Sequence, residues 1–155
     1  MIEDKKITCS FSGHRIMPKE FNTEELKKAV DNAIKDGFSQ FLVGMAIGFD
    51  TLCFKELIKI KGKSDITVVA CVPCLDQAEY FNSKQKKEYF SLLKKADEVI
   101  CLNENYFDGC MQQRNEFMVD NSSRLICYLK AGYGGTYSTV KYAVEKGLDI
   151  IYINK

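Results

Sequence analysis

Four short segments carry residue types that could do chemistry. The densest in glycine is Ala131-Gly132-Tyr133-Gly134-Gly135-Thr136. Glycines let a backbone approach a ligand closely and adopt positive φ. Thr136, Ser138 and Thr139 add hydroxyls at its end. A helix starting at Thr136 would turn free N–H groups and its positive dipole end toward this loop, which makes it a phosphate cradle. The competing reading is a turn capped by Thr136. A second segment, Ser12-Gly13-His14-Arg15, sets the chain's single His beside an Arg. Imidazole and guanidinium can together meet an anion or stack on a base.

The third segment is Gly44-Met45-Ala46-Ile47-Gly48-Phe49-Asp50. Its glycines suggest close backbone approach, and Asp50 either caps a helix or meets a ribose hydroxyl. It is not the GxGxxG dinucleotide fingerprint. The fourth is Gln112-Gln113-Arg114-Asn115-Glu116-Phe117-Met118-Val119-Asp120, where Arg114 suits a phosphate or carboxylate partner. Phe117 and Met118 read as core, Gln113 and Glu116 as a solvated helix face. Three motifs fail on context. Gly62-Lys63-Ser64 imitates the tail of a P-loop, but Leu57 stands where the first Gly belongs. Cys71-Val72-Pro73-Cys74 has no second pair to hold zinc and no helix to open for redox work. No metal site is expected. Asn121-Ser122-Ser123 is a glycosylation sequon without meaning in a cytoplasmic chain.

The elements that must position these segments alternate regularly. Strands are expected over 7–11, 38–43, 66–72, 98–102, 125–129 and 149–153. Helices are expected over 23–35, 50–61, 83–95, 111–121 and 136–146. The first helix shows Leu26, Ala29, Val30, Ala33 and Ile34 at the spacing of one face, with Asn22 or Thr23 as cap and Gly37 as stop. Ile66 to Val72 is nearly continuous in β-branched residues, as suits a central strand covered on both faces. Strand–helix alternation means a parallel sheet, because each parallel crossover needs a helix. The expectation is a Rossmann-like three-layer αβα fold with a mostly parallel central sheet, in one domain over 1–155. In such sheets ligands bind outside the strand carboxyl ends. The loops to examine are therefore 12–22, 44–50, 73–82, 103–110 and 130–136.

Composition sets outer limits. The chain has 155 residues, 46% apolar and 28% charged, the balance of a globular protein. Its 22 Lys and Arg against 21 Asp and Glu leave a net charge of +1, which argues against a nucleic-acid binder. Several of the 7 Cys sit in apolar runs as small core residues of a reducing compartment. The first six residues lack the apolar stretch of a signal peptide, and no apolar run approaches about 20 residues. A cytoplasmic protein without membrane contact is expected.

Six motifs in order resemble one family. They are Phe11-Ser12-Gly13-His14-Arg15, the segment from Gly44 to Asp50, and Val72-Pro73-Cys74 with Gln77. After these come Ala96-Asp97-Glu98-Val99, the segment from Arg114 to Asp120, and Gly134-Gly135-Thr136 with Val140-Lys141-Tyr142-Ala143. The chain resembles the YoqJ/YpsA-like proteins of bacteria and their phages, a branch of the SLOG superfamily. The resemblance implies a Rossmann-like domain that binds a nucleotide or a nucleotide-derived ligand. Within the superfamily, LOG-like members cleave the N-glycosidic bond of a nucleoside monophosphate, and others sense NAD-derived or cyclic signals. The LOG-like Arg-Lys-x-x-Met segment is matched by Arg114 and Met118. The Gly-Gly-x-Gly-Thr-x-x-Glu loop is matched in part by Gly134, Gly135 and Thr136, and its catalytic Glu falls near Thr139, which carries no carboxylate. Glycosidic cleavage wants a carboxylate near the ribose.

The leading expectation is therefore a sensor or sponge for an ADP-ribose-like or cyclic nucleotide signal. Gly134, Gly135, Thr136 and Arg114 would hold phosphate. Gly44, Gly48 and Asp50 would frame the ribose, and Ser12, Gly13, His14 and Arg15 would close the pocket. The alternative is a nucleotide N-glycosidase or phosphoribohydrolase using Asp50 or Glu116. Related folds pair helices, so a homo-oligomer is expected.

Overall fold

The computed structural model describes residues 4–155. After a short 3-10 turn at Lys5–Ile7, six strands and five helices alternate. They are β1 (Thr8–Ser12), α1 (Thr23–Lys35), β2 (Gln40–Val43), α2 (Phe49–Lys61), β3 (Thr67–Val72), α3 (Ser83–Leu93), β4 (Glu98–Cys101), α4 (Cys110–Asp120), β5 (Arg124–Cys127), α5 (Gly135–Glu145) and β6 (Asp149–Tyr152). The strands form one sheet in the order β4-β3-β2-β1-β5-β6. Every pairing is parallel, so the sheet is wholly rather than mostly parallel.

Local chemistry explains the helix ends. Asn22 caps α1 by accepting from the Glu24 N–H at 3.0 Å. At α3, Asn82 accepts from the Gln85 N–H at 2.8 Å while Gln85 accepts from the Asn82 N–H at 3.0 Å, a reciprocal capping box. The helices α2, α4 and α5 start differently. Each has a glycine at its N-cap with positive φ, Gly48 at 83°, Gly109 at 98° and Gly134 at 95°, and no side-chain cap.

Side chains alternate across the sheet and separate two layers of core. Phe41, Val43, Val68, Ala70 and Ile126 face one side with α1, α2 and α3, where Leu26, Phe54 and Leu57 are fully buried. Leu42, Val69, Cys71, Leu125 and Cys127 face the other, against Met118 and Val119 of α4 and Val140 and Ala143 of α5. Burying each large side chain contributes about 1.5–3 kcal/mol. The central strand β1 gives this second side Ser10, in register with Leu42 and Leu125, together with Thr8 and Ser12.

The order of strands places a crevice near the middle of the sheet. Strands β1 to β4 step in one direction, and the chain then returns to lay β5 on the free side of β1. The loops after β1 and β5 leave toward opposite faces, and the crevice between them is the topological switch point. All six strands differ from their expected ranges by one or two residues at an end. Phe38 falls short of β2 because its N–H donates to the Ala33 carbonyl at 2.9 Å, closing the end of α1. Tyr128 and Leu129 fall beyond β5, where the chain starts to turn into the next loop. The 7 cysteines are all free, and Cys71 lies within β3, so the CxxC neither opens a helix nor forms a disulfide.

Candidate functional site

A cavity of about 580 Å³ lies at the switch point. Its walls are the β1–α1 loop (Ser12, Gly13, His14, Arg15, Ile16) and the β5–α5 loop with the first turn of α5 (Lys130, Ala131, Tyr133, Gly134, Gly135, Thr136). Its floor adds Ala46, Asp50, Met111, Arg114 and Asn115. The expected residues Ser12, Gly13, His14, Arg15, Asp50, Arg114, Gly134, Gly135 and Thr136 thus meet around one space. Lys130, Tyr133, Met111 and Asn115 join them without having been singled out in the sequence.

The two loops are tied together across the crevice. The Lys130 N–H donates to His14 Nε2 at 2.9 Å. Accepting at Nε2 requires the neutral ring, protonated at Nδ1. Partial burial pushes the His14 pKa below its ordinary value and keeps the ring in that form. Its edge meets the Tyr128 ring at a centroid distance of 5.4 Å, in an aromatic cluster with Phe21 and Phe49.

The helix starts differ in what they offer. The first N–H of α2, at Phe49, donates to the His14 carbonyl at 3.0 Å, so that helix end is closed by the β1 loop. The start of α5 has no side-chain cap, and its first residues, Gly135 and Thr136, stand in the cavity wall. Thr139 is turned away, its Oγ1 donating to the Gly135 carbonyl at 2.8 Å. Its hydroxyl braces the first turn of α5 and does not enter the cavity.

Arg114 and Asp50 form the buried floor. Arg114 is 3% exposed and Asp50 8%. Arg114 Nη1 donates to the Gly44 carbonyl and, at 3.3 Å, to the Cys71 carbonyl, and Nε donates to Asn115 Oδ1 at 2.9 Å. Only Nη2, with the Met111 sulfur 3.8 Å away, keeps donors for another partner. Arg114 therefore holds β2, β3 and α4 together, and its positive charge underlies the cavity. Asp50 Oδ2 accepts from the Ala46 N–H at 3.1 Å. That bond clamps a loop in which Met45 stands at φ 65°, a strained position for a non-glycine residue. Burial raises the Asp50 pKa, while the Arg114 guanidinium, the Ala46 N–H and Arg15 pull it back.

Gly44 and Gly48 act behind the wall rather than in it. A Cβ at Gly44 would stand 2.9 Å from Arg114 Cζ and 3.0 Å from Asp50 Oδ2. A Cβ at Gly48 would stand 2.2 Å from the Arg15 carbonyl oxygen. These glycines bring the loops close enough to build the floor and do not themselves line the cavity. Glu116 is placed away from the cavity, accepting from Gln112 Nε2 at 3.3 Å on the outer part of α4. Of the two carboxylates considered for catalysis, only Asp50 reaches the site.

The balance of charge is positive. Arg15, Arg114 and Lys130 stand with the α5 N-terminus against one buried acid, Asp50. No helix among the described residues is long and apolar enough to cross a membrane.

Known proteins share this fold. The structure of DNA processing protein A (DprA) from Streptococcus pneumoniae superimposes with a TM-score of 0.71 at 16% identity, over 96% of this chain and 50% of that one. This chain thus spans half the length of that neighbour. DNA processing protein A from Helicobacter pylori, which binds single-stranded DNA, matches with a TM-score of 0.69 at 14% identity, over 97% of this chain and 68% of that one. In sequence, the SPbeta prophage-derived protein YoqJ of Bacillus subtilis (strain 168) is 27% identical over 122 residues, 70% of this chain and 71% of its own. The model of the YspA SLOG family matches residues 19–150, the whole span from the β1–α1 loop to β6. The chain belongs to that family.

Proposed function

We propose that the crevice between β1 and β5 binds the phosphate of a small nucleotide-derived ligand, an ADP-ribose-like molecule or a cyclic nucleotide signal. The observation that carries this is the uncapped start of α5 facing a cavity that also gathers Arg15, Lys130 and the buried Arg114. Backbone N–H groups at a helix start and nearby cations are the ordinary chemistry of phosphate recognition. The cavity volume of about 580 Å³ suits a small molecule. The absence of a carboxylate at Thr139 favours binding over cleavage, so the chain acts as a sensor or sponge.

A second reading rests on Asp50, a buried carboxylate in the cavity wall with a raised pKa. A group so placed can exchange a proton with a leaving base, as an N-glycosidase or phosphoribohydrolase requires. A panel of AMP, ADP, ADP-ribose, NAD and cyclic dinucleotides tests both. Thermal shift reports binding, since stabilisation grows as RT ln(1 + [L]/Kd). Product analysis of each hit then separates a ligand returned intact from one cleaved.

Oligo-dT belongs in the same panel, because a fold neighbour binds single-stranded DNA. The net charge of +1 supports a small ligand over a nucleic-acid strand. Sedimentation with and without ligand tests the proposal that the chain is a homo-oligomer, and fractionation tests the proposal that it is cytoplasmic.

A further inference from the structure

A second cavity, of about 420 Å³, opens on the other side of Arg15. It shares Arg15, Ala46 and Met111 with the first. The two form one groove along the carboxyl ends of the strands, and phosphate binding uses only one half of it. The walls of the second half are of another kind. Tyr80, from the loop after β3, is 93% exposed, and Tyr106, from the loop after β4, is 55% exposed. Phenol rings held at a cavity in this way offer stacking faces to a planar ligand.

The same cavity contains a carboxylate, Asp76. Asp76 Oδ1 is buried with no hydrogen-bond partner among the described residues. Its titratable neighbour is the Cys74 thiol, a weak donor whose pKa burial and Asp76 push up to about 12. A buried acceptor left unpaired is costly, and native structures rarely keep one without a reason. Of the amides beside it, Gln77 Nε2 donates to the Gly44 carbonyl at 3.3 Å, and Gln85 Oε1 accepts from the Asn82 N–H at 3.0 Å.

We propose that this second cavity is the ring-binding half of the site. A nucleobase stacks on Tyr80 and Tyr106 and donates its exocyclic amine to the Asp76 carboxylate. The ribose passes Arg15, and the phosphate rests at the start of α5. This assignment rests on the phosphate reading above. Stacking accepts any base, whereas an acceptor-only carboxylate selects bases that carry an amine. A rival place for the ring is the cavity beyond Lys130, lined by Tyr128 and Tyr152. There Lys130 Nζ lies 5.9 Å from the Tyr128 ring centroid and Lys155 Nζ 6.0 Å from that of Tyr152, so cations already cover those rings.

The test is calorimetry with three probes: ribose 5-phosphate, AMP, and purine riboside 5′-monophosphate, which is AMP without its amine. Tyr80→Ala and Tyr106→Ala should each weaken AMP about tenfold and leave ribose 5-phosphate unchanged. Wild-type protein should hold AMP about tenfold more tightly than the amine-free probe, and Asp76→Asn should erase that difference. An unchanged ribose 5-phosphate affinity shows that each variant is folded. AMP binding unaltered by both Tyr variants would place the ring elsewhere and overturn this assignment, leaving phosphate binding intact. Failure of both AMP and ribose 5-phosphate to bind wild-type protein would overturn the phosphate reading and this one with it.

Discussion

His14 Nε2, in the loop after β1, accepts a hydrogen bond from the backbone N–H of Lys130, in the loop after β5, at 2.9 Å. The two loops belong to strands adjacent in the sheet but far apart in sequence, and their connections leave toward opposite faces. One neutral imidazole therefore fixes the width of the crevice. The bond needs an unprotonated Nε2, which couples the shape of the site to pH.

Because burial lowers the His14 pKa from 6.5, protonation favours the unfolded chain. The stability this group contributes is complete above the unfolded value of 6.5 and is lost as pH falls toward the folded value. An NMR titration of the single histidine should give a folded pKa below 6.5. Denaturation at pH 7.5 and pH 5 should show a loss of stability that His14→Gln greatly reduces. A folded pKa above 6.5 in the free protein would contradict the bond as drawn.

Arg114 supports the floor through three backbone or side-chain acceptors and faces the buried Asp50 across Gly44. Arg114→Met should cost about 3–5 kcal/mol in urea denaturation, since it leaves a buried carboxylate without its countercharge. Adding Asp50→Asn should recover part of that loss. Arg114→Lys should recover little, because an ammonium cannot reproduce the planar fork. Strictly additive losses in the double variant would show that the two charges do not interact.

Glycine substitutions should separate scaffold from ligand contact. Gly48→Ala combines φ 83° with a Cβ 2.2 Å from the Arg15 carbonyl oxygen. It should cost about 2–4 kcal/mol, the sum of a left-handed penalty and a backbone clash. Gly135→Ala meets nothing within 4 Å. It should leave thermal stability within about 1 kcal/mol while crowding any phosphate at the start of α5. Equal effects of both variants on stability would contradict the placement of these loops.

The alternating elements were legible because each helix and strand carried its own period. Leu26, Ala29, Val30 and Ala33 mark one helix face, and Val68 to Val72 one covered strand. The cavity wall was legible because strand ends, glycines and cations coincided at Ser12 to Arg15 and at Gly134 to Thr136. The roles within it were harder to read. Arg114 was expected to help hold phosphate, and in the fold its Nη1 is taken up by the Gly44 and Cys71 carbonyls. Gly44 and Gly48 were expected at the ribose, yet their nearest neighbours are Arg114, Asp50 and the His14 and Arg15 carbonyls. Such assignments depend on which loop lies over which, information that no local spacing contains. Lys130 was missed as a site residue for the same reason, since its place beside His14 follows from the strand order.

We propose that the crevice between β1 and β5 holds a phosphate through Arg15, Lys130 and the start of α5. The most direct measurement is calorimetric titration of AMP and ADP-ribose into wild-type protein and into the Arg15→Ala/Lys130→Ala double variant. Both side chains are exposed, so the variant should keep its fold. Saturable binding to wild-type protein should weaken at least about tenfold in the variant, the scale of one or two hydrogen bonds to a charged group. Equal affinity of the folded variant, or no binding to wild-type protein, would rule out phosphate binding in this crevice.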